Sequence, residues 1–150
     1  MKYIDWLAQW LDFYVRPTVK QRTFEHYEGI ARKQLIPRLG GYELGALLPV
    51  VLQEFTAEQC KCYAVNTVSG IVSVLKSSLK AAQRTGIVDR EYTDGIRLPK
   101  AREKEVSCFS AAEQKKIERA VLMSGKDRLF GIVLCLYTGL RIGELMALQW

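Results

Sequence analysis

The sequence predicts an all-α fold in two parts: a four-helix domain, then a linker and the first helices of a second, mainly helical domain. Apolar residues recur at three- and four-residue spacings along most of the chain, with no convincing alternation of period two. Gly and Pro fall between the periodic segments. A mixed-charge stretch, Lys100-Ala101-Arg102-Glu103-Lys104-Glu105, separates two ordered regions.

Trp6, Leu7, Trp10, Leu11, Phe13 and Tyr14 predict an amphipathic helix over residues 2–16. Phe24, Tyr27, Ala31 and Leu35 predict a second over 20–35, which Pro37 stops before the turn at Leu39-Gly40-Gly41. Pro49 suits the first turn of a third helix, which carries Val50, Val51, Leu52 and Phe55. In the fourth, Asn66 is the expected N-cap and Gly86 closes the helix. Val68, Ile71, Val72, Leu75, Leu79 and Ala82 form its apolar stripe. Ser69, Ser73, Lys76, Lys80, Gln83 and Arg84 form its polar one. Lys76, Lys80 and Arg84 stand four residues apart, so three cations line one edge. That edge reads either as a solvated face or as a phosphate-contacting one.

Asp94-Gly95, Pro99 and the mixed charges make residues 89–108 an exposed linker between a domain at 1–88 and a second part at 109–150. Ser110-Ala111-Ala112-Glu113 is a capping box, and Ile117, Ala120 and Val121 give the buried face of the helix it starts. The next helix, Asp127 to Tyr137, is apolar on most sides and belongs inside a larger domain. The second part has too few residues to cover it, as expected of a truncated domain. A last helix starts near Arg141 and runs to Trp150.

Composition bounds the function. With 49% apolar residues in 150, the chain can bury a core and is not a disordered tail. A net charge of +6 favours nucleic acid or an anionic surface, although many proteins this basic bind no DNA. The first residues carry no secretory signal. The longest apolar stretch, Leu129 to Leu136, is shorter than the about 20 residues of a membrane span, so a cytoplasmic protein is expected. Cys60-Lys61-Cys62 is too tight for a zinc pair and His26 is the sole histidine, so no metal is expected. Cys60, Cys62, Cys108 and Cys135 read as reduced, partly buried thiols.

The stretch from Leu136 to Trp150 carries the chemistry. Thr138-Gly139 allows a sharp turn into a helix, and Arg141 falls at its start, where a guanidinium fork suits two phosphate oxygens. Glu144 follows three residues later and can orient Arg141. From spacing alone, an ordinary Arg–Glu surface pair fits as well.

The string Thr138-Gly139-Leu140-Arg141-Ile142-Gly143-Glu144-Leu145, with Leu148-Gln149-Trp150, resembles the first arginine box of the tyrosine recombinases, the phage-integrase-type enzymes. Trp6 with Trp10, Thr23 with Tyr27, Ile36-Pro37-Arg38-Leu39-Gly40 and the long helix ending at Gly86 resemble the family's SAM-like core-binding domain. Leu98-Pro99-Lys100 resembles its interdomain linker, and Phe109-Ser110-Ala111-Ala112-Glu113 the opening of its catalytic domain.

The resemblance implies two domains clamped on duplex DNA, and a tyrosine that attacks the scissile phosphate to form a 3′-phosphotyrosyl link. Strands are exchanged in a tetrameric homo-oligomer without ATP, metal or other cofactor. It assigns Arg141 to the scissile phosphate and makes Glu144 its buried support. The family's catalytic lysine, His-x-x-Arg box, second His or Trp and nucleophilic tyrosine all lie beyond the box. None falls within residues 1–150, and all seven tyrosines lie at or before Tyr137, so the chain is expected to be inactive alone. By analogy with the second and fourth helices of relatives, the expected DNA contacts are Lys20, Arg22, Thr23, Lys76, Lys80 and Arg84, with Lys100, Arg102 and Lys104 on the linker. Two readings compete: a short module that occupies recombination sites without catalysis, and a fragment that docks on protein through its apolar helix.

Overall fold

The computed structural model describes residues 1–89, 93–100 and 107–149. They fall in two compact units, Met1–Arg102 and Glu103–Trp150. Both are helical; among the described residues the sole strand-like pairing is an isolated antiparallel bridge between Lys2 and Glu43. No described helix is long and apolar enough to cross a membrane.

In the first unit, α1 (Tyr3–Trp10) continues into a π-helical turn at Leu11–Val15. Its first backbone N–H groups lack partners within the helix. Tyr3 and Ile4 instead donate to the carbonyls of Tyr42 and Gly40, at 2.9 and 3.1 Å. The turn that supplies them is tight: a Cβ on Gly40 would lie 2.6 Å from the Ile36 carbonyl oxygen.

The second helix does not stop at Pro37. α2 (Gln21–Ile30) passes through a π turn at Ala31–Leu35 into α3 (Ile36–Leu39). Proline lacks an N–H and crowds the carbonyl four residues back. The wider turn just before it, with the Ile36 N–H on the Ala31 carbonyl, shifts the hydrogen-bond ladder where that bond is lost. A 3₁₀ turn at Leu44–Ala46 leads to α4 (Pro49–Cys62), which starts at the expected proline.

α5 (Val65–Arg84) begins ahead of Asn66. The N-cap is Ala64, and Asn66 stands exposed in the first turn with no capping bond. A side-chain cap contributes about 1 kcal/mol. The buried stripe Val68, Ile71, Val72, Leu75, Leu79 and Ala82 outweighs it in setting where the helix starts. Gly86, at φ +74°, ends α5 as expected.

Leu7, Leu35, Leu47, Leu52, Leu75, Tyr3 and Trp6 are sealed from solvent in the centre of this unit. The Tyr3 hydroxyl lies 2.7 Å from Ser78 Oγ, and Trp6 Nε1 donates to the Ser78 carbonyl at 2.9 Å. Burial pushes the Tyr3 phenol well above its ordinary pKa, and the Ser78 bond opposes it only in part.

The segment expected as an exposed linker is packed over part of its length. Val88, Thr93 and Ile96 are buried and Leu98 is half-buried against the core. The Gln53 amide donates to the Arg97 carbonyl at 3.1 Å and accepts from the Arg97 N–H at 2.8 Å. One side chain thus pairs both backbone polar groups of Arg97.

In the second unit, α6 (Ala111–Ser124) starts at the expected capping box. Ser110 Oγ accepts from the Glu113 N–H, and the Glu113 carboxylate accepts from the Ser110 N–H at 2.8 Å. Val121 is buried and Ile117 half-buried, but Ala120 is exposed, because little chain packs on that side. Instead of one helix from Asp127, a 3₁₀ turn (Asp127–Leu129) precedes α7 (Phe130–Thr138). No residue of α7 is buried, and Phe130, Ile132 and Tyr137 are exposed.

α8 (Ile142–Met146) does not run to the end of the chain. Ala147 and Leu148 bond three residues back, the tightening typical of a last turn. So short a helix depends on packing, and Met146 and Leu148 are exposed. Cys60 and Cys135 are half-buried, whereas Cys62 and Cys108 are exposed, contrary to expectation. Cys62 ends α4, and Cys108 lies in extended chain before the capping box, so neither reaches a core.

Candidate nucleic-acid interface and arginine box

α5 carries the basic ridge. Its inner stripe is buried, so helical geometry turns Ser69, Ser73, Lys80 and Arg84 to solvent, with Lys76 half-buried beside them. At 1.5 Å per residue, Lys76 and Arg84 stand about 12 Å apart along the helix axis. Lys80 and Arg84 also line a groove of ≈ 370 Å³ with Trp10, Tyr14 and Ser77. Trp10, which stacks on Tyr27 at 6.0 Å between centroids, gives this groove a rigid wall.

Lys20, Arg22 and Thr23 are exposed at the start of α2, where the Lys20 carbonyl accepts from the Thr23 N–H. They are not among the residues lining the grooves beside α5. Other basic residues are engaged. Arg16 pairs with Asp12 at 3.1 Å and lies 4.5 Å over the Phe24 ring, and Arg38 pairs with Glu58 at 2.9 Å. Lys100 is exposed. Arg102 and Lys104 lie outside the described residues.

A second groove, of ≈ 560 Å³, runs between α2 with its π turn and the first half of α5. His26, Gly29 and Lys33 line one wall, and Asn66, Thr67 and Gly70 line the other. Sequence reasoning missed most of these residues. The one signal that could have found them was a glycine inside each of two amphipathic helices.

In the second unit, Gly139 takes φ +70° and ends α7, so the chain can turn into α8. Arg141 is the N-cap of α8. A guanidinium has no acceptor, so only half of a capping box forms. Glu144 accepts from the Arg141 N–H at 2.9 Å, and its other carboxylate oxygen lies 3.4 Å from the Arg141 guanidinium. The Arg141 side chain is 86% exposed. Glu144 is exposed as well, not the buried support expected, because among the described residues no other element covers α8 on that side. The Tyr137 hydroxyl donates to Glu118 at 2.9 Å, and that bond raises its pKa. No group of three His, Cys, Asp or Glu side chains among the described residues stands ready for a metal ion.

Residues 3–58 match the family model described as the phage integrase N-terminal SAM-like domain. The chain is 29% identical, over 97% of its length, to a tyrosine recombinase XerC-like protein of Caldanaerobacter subterraneus. It is 28% identical, over 97%, to an integrase of Streptomyces ambofaciens. It spans 39% and 36% of the length of these two relatives. A phage integrase SAM-like domain from Moorella thermoacetica superposes with TM-score 0.58 at 27% identity, covering 71% of this chain and 92% of that one. Lambda integrase, solved as a dimer bound to a COC' core site, superposes with TM-score 0.84 over 100% of this chain and 42% of its own. At 19% identity, that likeness speaks for the fold alone. The sequence matches across nearly the whole chain and the helical SAM-like architecture agree: at the family level this chain is similar to the phage integrases of the tyrosine recombinase family, and its residues 3–58 match their N-terminal SAM-like domain.

Proposed function

We propose that this chain binds double-stranded DNA at a recombination site, as the front portion of a site-specific tyrosine recombinase. The basic ridge of Lys76, Lys80 and Arg84 on the outer edge of α5 carries this reading. Three cations at helical spacing beside short hydroxyls suit a run of phosphates better than a small ligand. The fold shared with lambda integrase, which was solved on its core site, supports duplex DNA as the partner. Lys20, Arg22, Thr23 and Lys100 add exposed donors to the same unit. Assembly as a homo-oligomer on DNA, a tetramer in the complete enzyme, belongs to the same reading.

Arg141 is the residue of these 150 that would meet the scissile phosphate. Its guanidinium is free to re-aim, because an exposed 3.4 Å contact to Glu144 holds it weakly. In the family reaction the nucleophilic tyrosine follows the arginine box, whereas all seven tyrosines here precede Arg141. The nearest, Tyr137, has its hydroxyl bonded to Glu118. These residues therefore bind DNA and position Arg141 without cutting.

A salt titration of duplex binding tests the reading. Log K is expected to fall by about 0.9 per neutralised phosphate for each log unit of salt. The Lys76→Ala/Lys80→Ala/Arg84→Ala variant should bind more weakly, with a slope shallower by up to about 2.7. A flat slope in the native chain, or unchanged binding by the triple variant, rules the ridge out.

A further inference from the structure

One face of α4 carries a row of contacts for a segment that lies outside any helix. A Cβ on Gly95 would stand 3.2 Å from Pro49 Cβ, so the chain there runs close over the start of α4. Two residues on, Arg97 exchanges both backbone hydrogen bonds with the Gln53 carboxamide, at 2.8 and 3.1 Å. Pro49 and Gln53 are four residues apart on the helix, about 6 Å at 1.5 Å per residue. Gly95 and Arg97 are two apart in the strap, about 6.6 Å for extended chain. The two spacings agree, so residues 95–97 lie in register along α4. Ile96 is buried between these contacts, and Leu98 is half-buried against the core.

Burial does not force the pairing at Arg97. That residue is exposed, so water could serve its N–H and C=O if Gln53 did not. A carboxamide presents a donor and an acceptor side by side, so it can stand in for one residue of a neighbouring strand. Gln53 thereby fixes the path of the chain, which water would not. The tether to the second unit then starts at Pro99, and residues 99–109 lead to the capping box at Ser110. With the strap lifted, the next buried anchor back along the described residues is Val88. The tether would then be residues 89–109, nearly twice as long.

We propose that Gln53 is a positioning residue: by latching Arg97 onto α4, it sets the tether length and so how much the second unit adds to the grip of the first on one duplex. This rests on the DNA-binding reading above. The effective concentration of a tethered module falls as roughly the −3/2 power of tether length. Unlatching should therefore weaken binding by both units about two- to threefold.

The experiment uses the 150-residue chain and a duplex long enough for both units. Amide exchange read by NMR should show the Arg97 N–H protected in the native chain and unprotected in Gln53→Leu, with the amides of α5 unchanged. Gln53→Glu, which still accepts from the Arg97 N–H but cannot donate, should keep part of the protection. Gln53→Leu should bind the duplex about two- to threefold more weakly. Gly95→Val, which lifts the strap without touching Gln53, should do the same. An insertion of about ten Gly/Ser residues after Lys100 should reproduce the loss of affinity with Arg97 still protected. An unprotected Arg97 amide in the native chain overturns the inference. So does a Gln53→Leu chain that loses protection yet binds as tightly as the native one; both results leave the DNA-binding reading standing. A native chain that binds no duplex overturns that reading, and with it the role given to the latch.

Discussion

Ser78 is the residue whose role the sequence concealed most. Its hydroxyl donates to the Leu75 carbonyl at 2.8 Å. It has one proton, so the buried Tyr3 hydroxyl, 2.7 Å away, must donate to it. Ser78→Ala would leave the Tyr3 hydroxyl sealed in the core without an acceptor, which costs about 1–3 kcal/mol. Tyr3→Phe should cost less, since Ser78 keeps its bond to Leu75. In the Ser78→Ala background, Tyr3→Phe should recover most of the loss. Urea unfolding of the two single variants and the double checks this; additive losses would mean that the two hydroxyls do not communicate. Ser78 lies on the buried face of α5, three residues after Leu75 and four before Ala82, yet it was not among the stripe residues read from sequence. Its partner lies 75 residues away in sequence, beyond any local pattern. Arg141 is the opposite case. Its residue type and its place after Gly139 were plain from sequence, but the exposure of Glu144 was not, because it depends on what covers α8.

Helix ends and faces are the element-scale result, and charge at one end is testable. Bonds from the Ser110 backbone N–H, and then from its hydroxyl, hold the Glu113 carboxyl below its ordinary pKa. A folded pKa below the unfolded one adds stability that is complete above the unfolded value and is lost as pH falls through the folded value. An NMR titration of Glu113 should therefore show a midpoint below the usual carboxylate range, and Ser110→Ala should raise it. An ordinary midpoint in the native chain would mean that the box is open in solution. This box was legible because its donors and acceptors lie within four residues. The passage through Pro37 was not, because a π turn depends on how the helix packs on either side of the proline. The same holds for the start of α5, where a packed stripe overrides the better capping residue.

For the whole molecule, chain order bears on chemistry. With all seven tyrosines ahead of Arg141, the 150-residue chain should form a salt-sensitive complex with a nicked suicide duplex and no covalent product. An adduct that survives denaturing electrophoresis would show that one of these tyrosines attacks DNA. By itself the sequence determined the all-α class, most helix spans, the capping box, the basic edge of α5 and the turn that puts Arg141 at a helix start. Each of these depends on residue types a turn or two apart, where helical periodicity and backbone sterics act directly. Tertiary structure alone decided that 93–98 packs on the helical unit and that Ser78 serves Tyr3 and Trp6. It also decided that Gly29 and Gly70 open onto one groove. Those outcomes depend on which surfaces meet across long stretches of chain, and burial of apolar area, which is non-directional, leaves that choice to the packed whole.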